Sequence, residues 1–143
     1  MQRRWKILAL AAATFTVSGL VQAKQVMCVF DLVGKNGDVY SVMKDYQLAA
    51  KNWGADIELR VNTNEAVVAE DFKAGKCDGI SVTGMRGRQF NSFTGSLDAI
   101  GAIPDLNLAV KVMQGLASPT FAKHMLNGKY EVVGVIPVGD AFL

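Results

Sequence analysis

Arg86 and Arg88 stand two residues apart, just beyond the short run Gly79-Ile80-Ser81-Val82-Thr83-Gly84. Guanidinium forks in such a place suit a carboxylate or a phosphate, because their N–H donors match the paired oxygens of those anions. A helix opening nearby would add backbone N–H groups to the same task; a pair of solvated surface arginines is the alternative. Asp31 is the one charge in the apolar run 25–33. A carboxylate there needs a partner, whether a ligand donor, an arginine or a backbone N–H, and a purely structural hydrogen bond competes with a functional contact. His124 is the single histidine, too few for a triad or for a zinc site with two cysteines. Gly34-Lys35-Asn36-Gly37 sits where a phosphate loop would, yet it has neither nucleotide-binding spacing. No catalytic residue, metal ligand or cofactor is expected.

Cys28 and Cys77 are the only cysteines, and how they behave depends on the compartment. The chain opens with Arg3, Arg4 and Lys6, runs apolar over 7–17 and reaches Val21-Gln22-Ala23. That is the pattern of a secretory signal peptide over 1–23 with a small-residue cleavage site. Its apolar core is shorter than the ~20 residues of a spanning helix. Export to an oxidising compartment makes a Cys28–Cys77 disulfide the expectation, worth roughly 2–4 kcal/mol, with two buried thiols the alternative. No CxxC occurs, which argues against a thiol-redox enzyme. Without the leader, 12 basic residues face 13 acidic ones. Such a balance offers nucleic acid or an anionic membrane no electrostatic hold, and no later run is long enough to span a bilayer.

The elements that would position these residues read as βαβαβ. Residues 25–33 are apolar on both faces, as in a central parallel strand. A helix follows over 38–53, with Val39, Val42, Met43, Tyr46, Ala50 and Trp53 as its core stripe and Gly54 as its stop. Ile57, Leu59 and Val61 alternate with charges, which predicts an edge strand over 55–62. Thr63 or Asn64 can cap a second helix over 65–74, which ends at Gly75 before the third strand. Right-handed crossovers then put the strands in the order 2-1-3 with helices on both faces. Ligands in such sheets lie beyond the carboxyl ends of the strands, where Asp31, Thr83, Gly84, Arg86 and Arg88 stand. Further on, the pattern predicts a helix beginning in 86–93, a strand over 100–104, helices over 106–116 and 120–126, and a strand over 130–138. The terminus Ala141-Phe142-Leu143 reads as a chain cut inside structure.

Several spaced blocks carry a resemblance. Val29-Phe30-Asp31-Leu32-Val33-Gly34-Lys35, Ala49-Ala50-Lys51-Asn52-Trp53-Gly54-Ala55-Asp56, Asp71-Phe72-Lys73-Ala74-Gly75-Lys76-Cys77-Asp78-Gly79 and Thr83-Gly84-Met85-Arg86 resemble the AdeT-like solute-binding proteins. These are exported and similar to the periplasmic binding subunits of TRAP-type transporters. The resemblance implies a periplasmic, non-enzymatic protein with a type II binding-protein fold, of which 24–143 would be the N-terminal lobe with the second lobe absent. It implies capture of a small, anionic organic solute for an inner-membrane transporter, at a rim of Asp31, Leu32, Thr83, Gly84, Arg86 and Arg88. Some relatives are labelled as RND-type efflux proteins linked to drug resistance, so an accessory protein of an envelope efflux system is the second expectation. A half-cleft would weaken binding, because a closing two-lobed site buries most of a small ligand's surface.

Overall fold

The computed structural model describes residues 24–99 and 101–138; residues 1–23, expected from the sequence to be a signal peptide, lie outside them. Three parallel strands, β1 (Gln25–Phe30), β2 (Ile57–Asn62) and β3 (Gly79–Ser81), form one sheet in the order β2-β1-β3. The apolar strand is central and the alternating one lies at the edge, because only a central strand is covered on both faces along its length. Val29 pairs with Val61 on one side and with Ser81 on the other. Helix α1 (Asp38–Lys51) packs on β1 and β2, and α2 (Glu65–Lys73) on β1 and β3.

The period-2 alternation of β1 divides the core between these helices. Val26, Cys28 and Phe30 share a cluster with Val68, Phe72, Ile80, Val82 and Cys77, while Val29 is wholly buried among the residues that alternate with them. Full burial of an aliphatic side chain of this size contributes roughly 1.5–3 kcal/mol. Cys28 and Cys77 are joined by a disulfide across a Cα–Cα distance of 5.9 Å. It ties the central strand to the turn after α2, and Asp78 adds a reciprocal pair of 2.7 Å bonds with Val26: its backbone N–H donates to the Val26 carbonyl and its carboxylate accepts the Val26 N–H. Gly75 makes this turn possible at φ +72°, a conformation that costs a side-chain-bearing residue steric strain. The Asn64 side chain accepts the Ala66 N–H at 3.0 Å and caps α2.

Helix α1 corrects the expected core stripe. Met43 and Ala50 are buried, but Val42 and Tyr46 are each 42% exposed, and Trp53, past the helix end, is 72% exposed and meets Tyr46 edge-on at 6.4 Å between centroids. A sheet with one neighbour strand on that side covers only part of an apolar face that wide.

Beyond β3 the chain forms short pieces. Helices α3 (Gly84–Gly87) and α4 (Phe93–Leu97) stand where the sequence pattern predicts one helix from 86–93 broken near Gly95; the break falls at 88–92 instead, and α4 runs through Gly95. Helix α5 (Leu106–Leu116) is capped by Asp105, whose side chain accepts the Leu108 N–H at 2.9 Å. A 3₁₀ turn (Pro119–Phe121) then leads into α6 (Ala122–Met125), splitting the helix expected over 120–126. The strand expected over 100–104 is absent among the described residues: 101–103 form a turn and bend, and Ile100 lies outside them. Of the strand expected over 130–138, only β5 (Tyr130–Glu131) pairs, antiparallel with β4 (Leu126–Asn127). Among the described residues, 132–138 have no sheet partner beyond the Val132 N–H, which donates to the Met125 carbonyl at 2.8 Å, and Val133 and Val138 are 81% and 70% exposed. A β-branched run becomes a strand only where another strand takes up its backbone groups. No described helix is long and apolar enough to cross a membrane.

Candidate functional site

The carboxyl edge of the sheet gathers the residues singled out by chemistry. Asp31 follows β1 directly and is buried. Its carboxylate accepts the Val33 N–H at 2.8 Å and the Tyr40 N–H at 2.9 Å, joining the strand end to the first turn of α1. Gly37 lies so close that a Cβ there would overlap the carboxylate, so glycine is required by this approach and not by its backbone angles. The Asp31 side chain thus spends its lone pairs on the chain itself and positions the turn that carries Leu32 and Val33. Those two are 78% and 65% exposed, an apolar lip at the end of a central strand.

On the neighbouring strand, continuing the Val29–Ser81 register by two residues sets Thr83 level with Asp31. The Thr83 side chain accepts the Arg86 N–H at 3.2 Å and opens α3. Two carboxylates absent from the sequence-based site complete the arrangement. Glu65, the first residue of α2, accepts the Thr83 N–H at 2.6 Å through Oε1, and its Oε2 faces the Arg86 Nε at 3.4 Å. Asp98 accepts the Met85 N–H at 2.8 Å. Gly84 is pressed against both neighbours: a Cβ there would come within 2.5 Å of the Thr94 carbonyl and 2.7 Å of the Asp98 carboxylate. The Thr94 hydroxyl donates to the Gly84 carbonyl at 2.8 Å, locking α4 onto α3. Arg88 runs its stem along Gly95, whose added Cβ would lie 2.7 Å from the Arg88 Cδ.

The backbone donors expected to help hold an anion are therefore taken by Glu65, Asp98 and the Thr83 hydroxyl. What remains outward is guanidinium. Met85, Arg86, Arg88 and Gln89 line an open depression of about 340 Å³. Arg86 keeps both Nη groups without a hydrogen-bonded acceptor among the described residues, since its one side-chain contact, with Glu65, is through Nε. That end-on face has the geometry for two parallel bonds to a carboxylate. Thr83, Gly84, Arg86 and Arg88 are brought together within one turn and its flanks, whereas Leu32 and Asp31 belong to the neighbouring strand end. Glu65 carried one sequence signal, an acid at a helix start; Asp98 carried none, because its role depends on α4 folding back on α3.

A second depression, of about 460 Å³, lies between the 91–96 segment and the hairpin, lined by Asn91, Phe93, Lys123, His124 and Asn127 among others. Its walls are joined by Asn91, whose amide donates to the His124 and Met125 carbonyls at 3.0 and 3.1 Å, and by Asn127, which donates to the Phe90 carbonyl at 2.7 Å. His124 stacks on Phe93 at 6.3 Å between centroids. No group of three or more potential metal ligands occurs among the described residues.

Residues 47–143 match the family model described as solute-binding protein AdeT 1/2. Over 115 residues, 80% of this chain and 38% of the relative, the sequence is 50% identical to the "Probable solute-binding protein AdeT1" of Acinetobacter baumannii. A 47-residue stretch, 33% of this chain and 20% of the relative, is 47% identical to the "Probable solute-binding protein AdeT2" of the same organism. The chain thus spans less than half the length of the curated relatives it matches. No solved structure matches it.

Proposed function

Because the chain belongs to the AdeT 1/2 family of solute-binding proteins, we propose that it forms the N-terminal lobe of an exported binding protein. Its rim would take the carboxylate of a small organic solute for a TRAP-type or related transporter. The observation that carries this reading is the Arg86 guanidinium, held through Nε by Glu65 with its end-on face unused, at the carboxyl edge of a parallel sheet. Leu32, Val33 and Met85, all exposed along the same edge, supply apolar surface for the solute's carbon skeleton, and Arg88 supplies a second cation. Thr83, Gly84 and Asp31 serve by shape, fixing the two strand ends. In this reading binding, not bond-breaking, is the task, and the disulfide suits an extracytoplasmic compartment.

Thermal unfolding of the purified chain with a panel of organic acids, sugars, amino acids and aminoglycosides tests the proposal. A ligand that binds only the folded state raises the transition temperature. A carboxylate should do so, and Arg86→Ala should abolish the shift. Capture of an inner-membrane efflux component, with no shift from any compound, would replace this reading with that of an accessory protein.

A further inference from the structure

The depression between the 91–96 segment and the hairpin lies apart from the rim and differs from it in chemistry. Six of its eight lining residues carry polar side chains, Asn91, Ser92, Ser96, Lys123, His124 and Asn127, and none is acidic. Its two walls are held together from beneath. The buried Asn91 side chain donates to the His124 and Met125 carbonyls and accepts the Phe93 N–H at 3.0 Å. The His124 ring lies 23° from the plane of Phe93, with Phe121 6.1 Å away between centroids, so two aromatic neighbours set its place. Among the described residues the Lys123 ammonium pairs with no carboxylate. His124 bonds to the chain only through its backbone carbonyl, and the exposed Ser92 and Ser96 hydroxyls have no partner there.

These are point donors around a hollow, not a planar fork. A carboxylate offers two oxygens in one plane and suits the guanidinium of the rim. The tetrahedral head of a phosphomonoester offers three terminal oxygens and suits an ammonium with imidazole and hydroxyl donors beside it. No carboxylate lines the hollow to repel it. A volume of about 460 Å³ falls within the roughly 300–1,000 Å³ of small-molecule sites, which leaves room for a body behind the phosphate. Asn127 spends its amide N–H on the Phe90 carbonyl and keeps its side-chain oxygen for a ligand hydroxyl. We propose that this hollow is a second binding site, separate from the rim, for the phosphomonoester of a small polyol. Lys123, His124, Ser92 and Ser96 take the phosphate, Asn127 takes a hydroxyl, and Phe93 and Leu126 meet the carbon skeleton.

Titration of the full chain with glycerol phosphate, glucose phosphate, inorganic phosphate and sulfate, followed by amide NMR, tests the proposal. Shifts should gather over 91–96 and 122–127 and leave 83–89 still, with a polyol phosphate binding ~10-fold more tightly than inorganic phosphate or sulfate. Lys123→Ala and His124→Phe should each weaken that binding by roughly tenfold, since each removes a donor to a charged oxygen. His124→Phe keeps a ring against Phe93, and transition temperatures check that both variants fold. Shifts gathered over 83–89 would give the anion to the Arg86 rim and overturn the second site. Sulfate binding as tightly as the phosphate esters, or affinity unaltered in both variants, would reduce the hollow to a surface without selectivity and overturn it as well. Absence of shifts with every probe would do the same while leaving the carboxylate reading of the rim standing.

Discussion

Residues 24–82 and residues 101–138 are both rich in apolar side chains, yet they are held in different ways. In the first region each strand has a neighbour, each face of the sheet has a helix, and a disulfide ties the centre to the turn before β3. In the second, a two-residue-per-strand hairpin docks through Tyr130, which meets Phe72 at 5.6 Å and Phe90 at 5.1 Å, and through the amides of Asn91 and Asn127. Helix α5 buries Ala109 alone and leaves Leu106 71% exposed. Composition does not separate the two; partners do. An apolar pattern becomes a core where a second surface meets it, and the candidate rim is built on the region that has one.

The strongest way to break this contrast is to remove the staple. A link between residues 49 apart restricts the unfolded chain by about 4 kcal/mol in the chain-entropy view. Paired Cys28→Ser and Cys77→Ser substitutions should therefore lower the unfolding free energy of the sheet region by that order, read as a fall in its urea midpoint. An unchanged midpoint would show that packing of Val68, Phe72 and Ile80 alone suffices. A smaller loss is expected from Asp31→Ala, which leaves the Val33 and Tyr40 N–H groups without their acceptor and should cost roughly 1–3 kcal/mol. Asp31→Asn, keeping one acceptor oxygen, should recover part of it. If Asp31→Ala leaves unfolding untouched, the carboxylate is not what joins β1 to α1.

The hairpin should respond independently. Asn91→Ala removes two donated bonds and the acceptor for the Phe93 N–H, a loss of about 1–2 kcal/mol. It should speed hydrogen exchange over 122–132 while the β1 amides keep their protection. Acceleration of both together would make them one cooperative unit and erase the distinction drawn above. Smallest of all is the surface charge on the edge strand. The Arg60 hydrogen bond and charge, with help from Lys24, hold the Glu58 carboxyl below its ordinary range. A depressed carboxyl favours the folded state above the unfolded pKa, and that contribution disappears as pH falls through the lower folded value. Arg60→Gln should therefore cost a little stability near neutrality, where the charged pair contributes, and nothing once pH falls below the lowered folded value, so that stability varies less with pH just below about 4.5; solvent screening keeps an exposed pair weak. A loss of equal size persisting in acid below the Glu58 titration would point to Arg60 acting by contact, through its 3.4 Å bond to the Lys76 carbonyl.

Much of the first region was written in the sequence. Two-sided apolarity puts β1 at the centre, alternation puts β2 at the edge, and the βαβαβ order with right-handed crossovers implies β2-β1-β3. The Cys28–Cys77 disulfide is expected from export to an oxidising compartment, and that strand order is compatible with it, because neighbouring strands can bring Cα atoms within bonding reach. These inferences rest on periods of two and 3.6 residues, which are local properties of the chain.

Tertiary structure decided what local pattern could not. The run 130–138 has strand composition and pairs over two residues only, since pairing depends on a partner that composition does not supply. Trp53 belongs to the α1 pattern and lies in solvent, since the width of the sheet, not the helix, sets how much of that face is covered. The rim shows the same division most clearly. Arg86, Thr83 and Gly84 are placed by the end of a strand, and sequence suffices to find them. Glu65 and Asp98 reach the same point from 18 and 13 residues away from the N–H groups they accept, and Asp31 turns inward to its own backbone. Hydrogen bonds between separated segments depend on distances that only the folded chain fixes, so the charge of the candidate rim belongs to the fold.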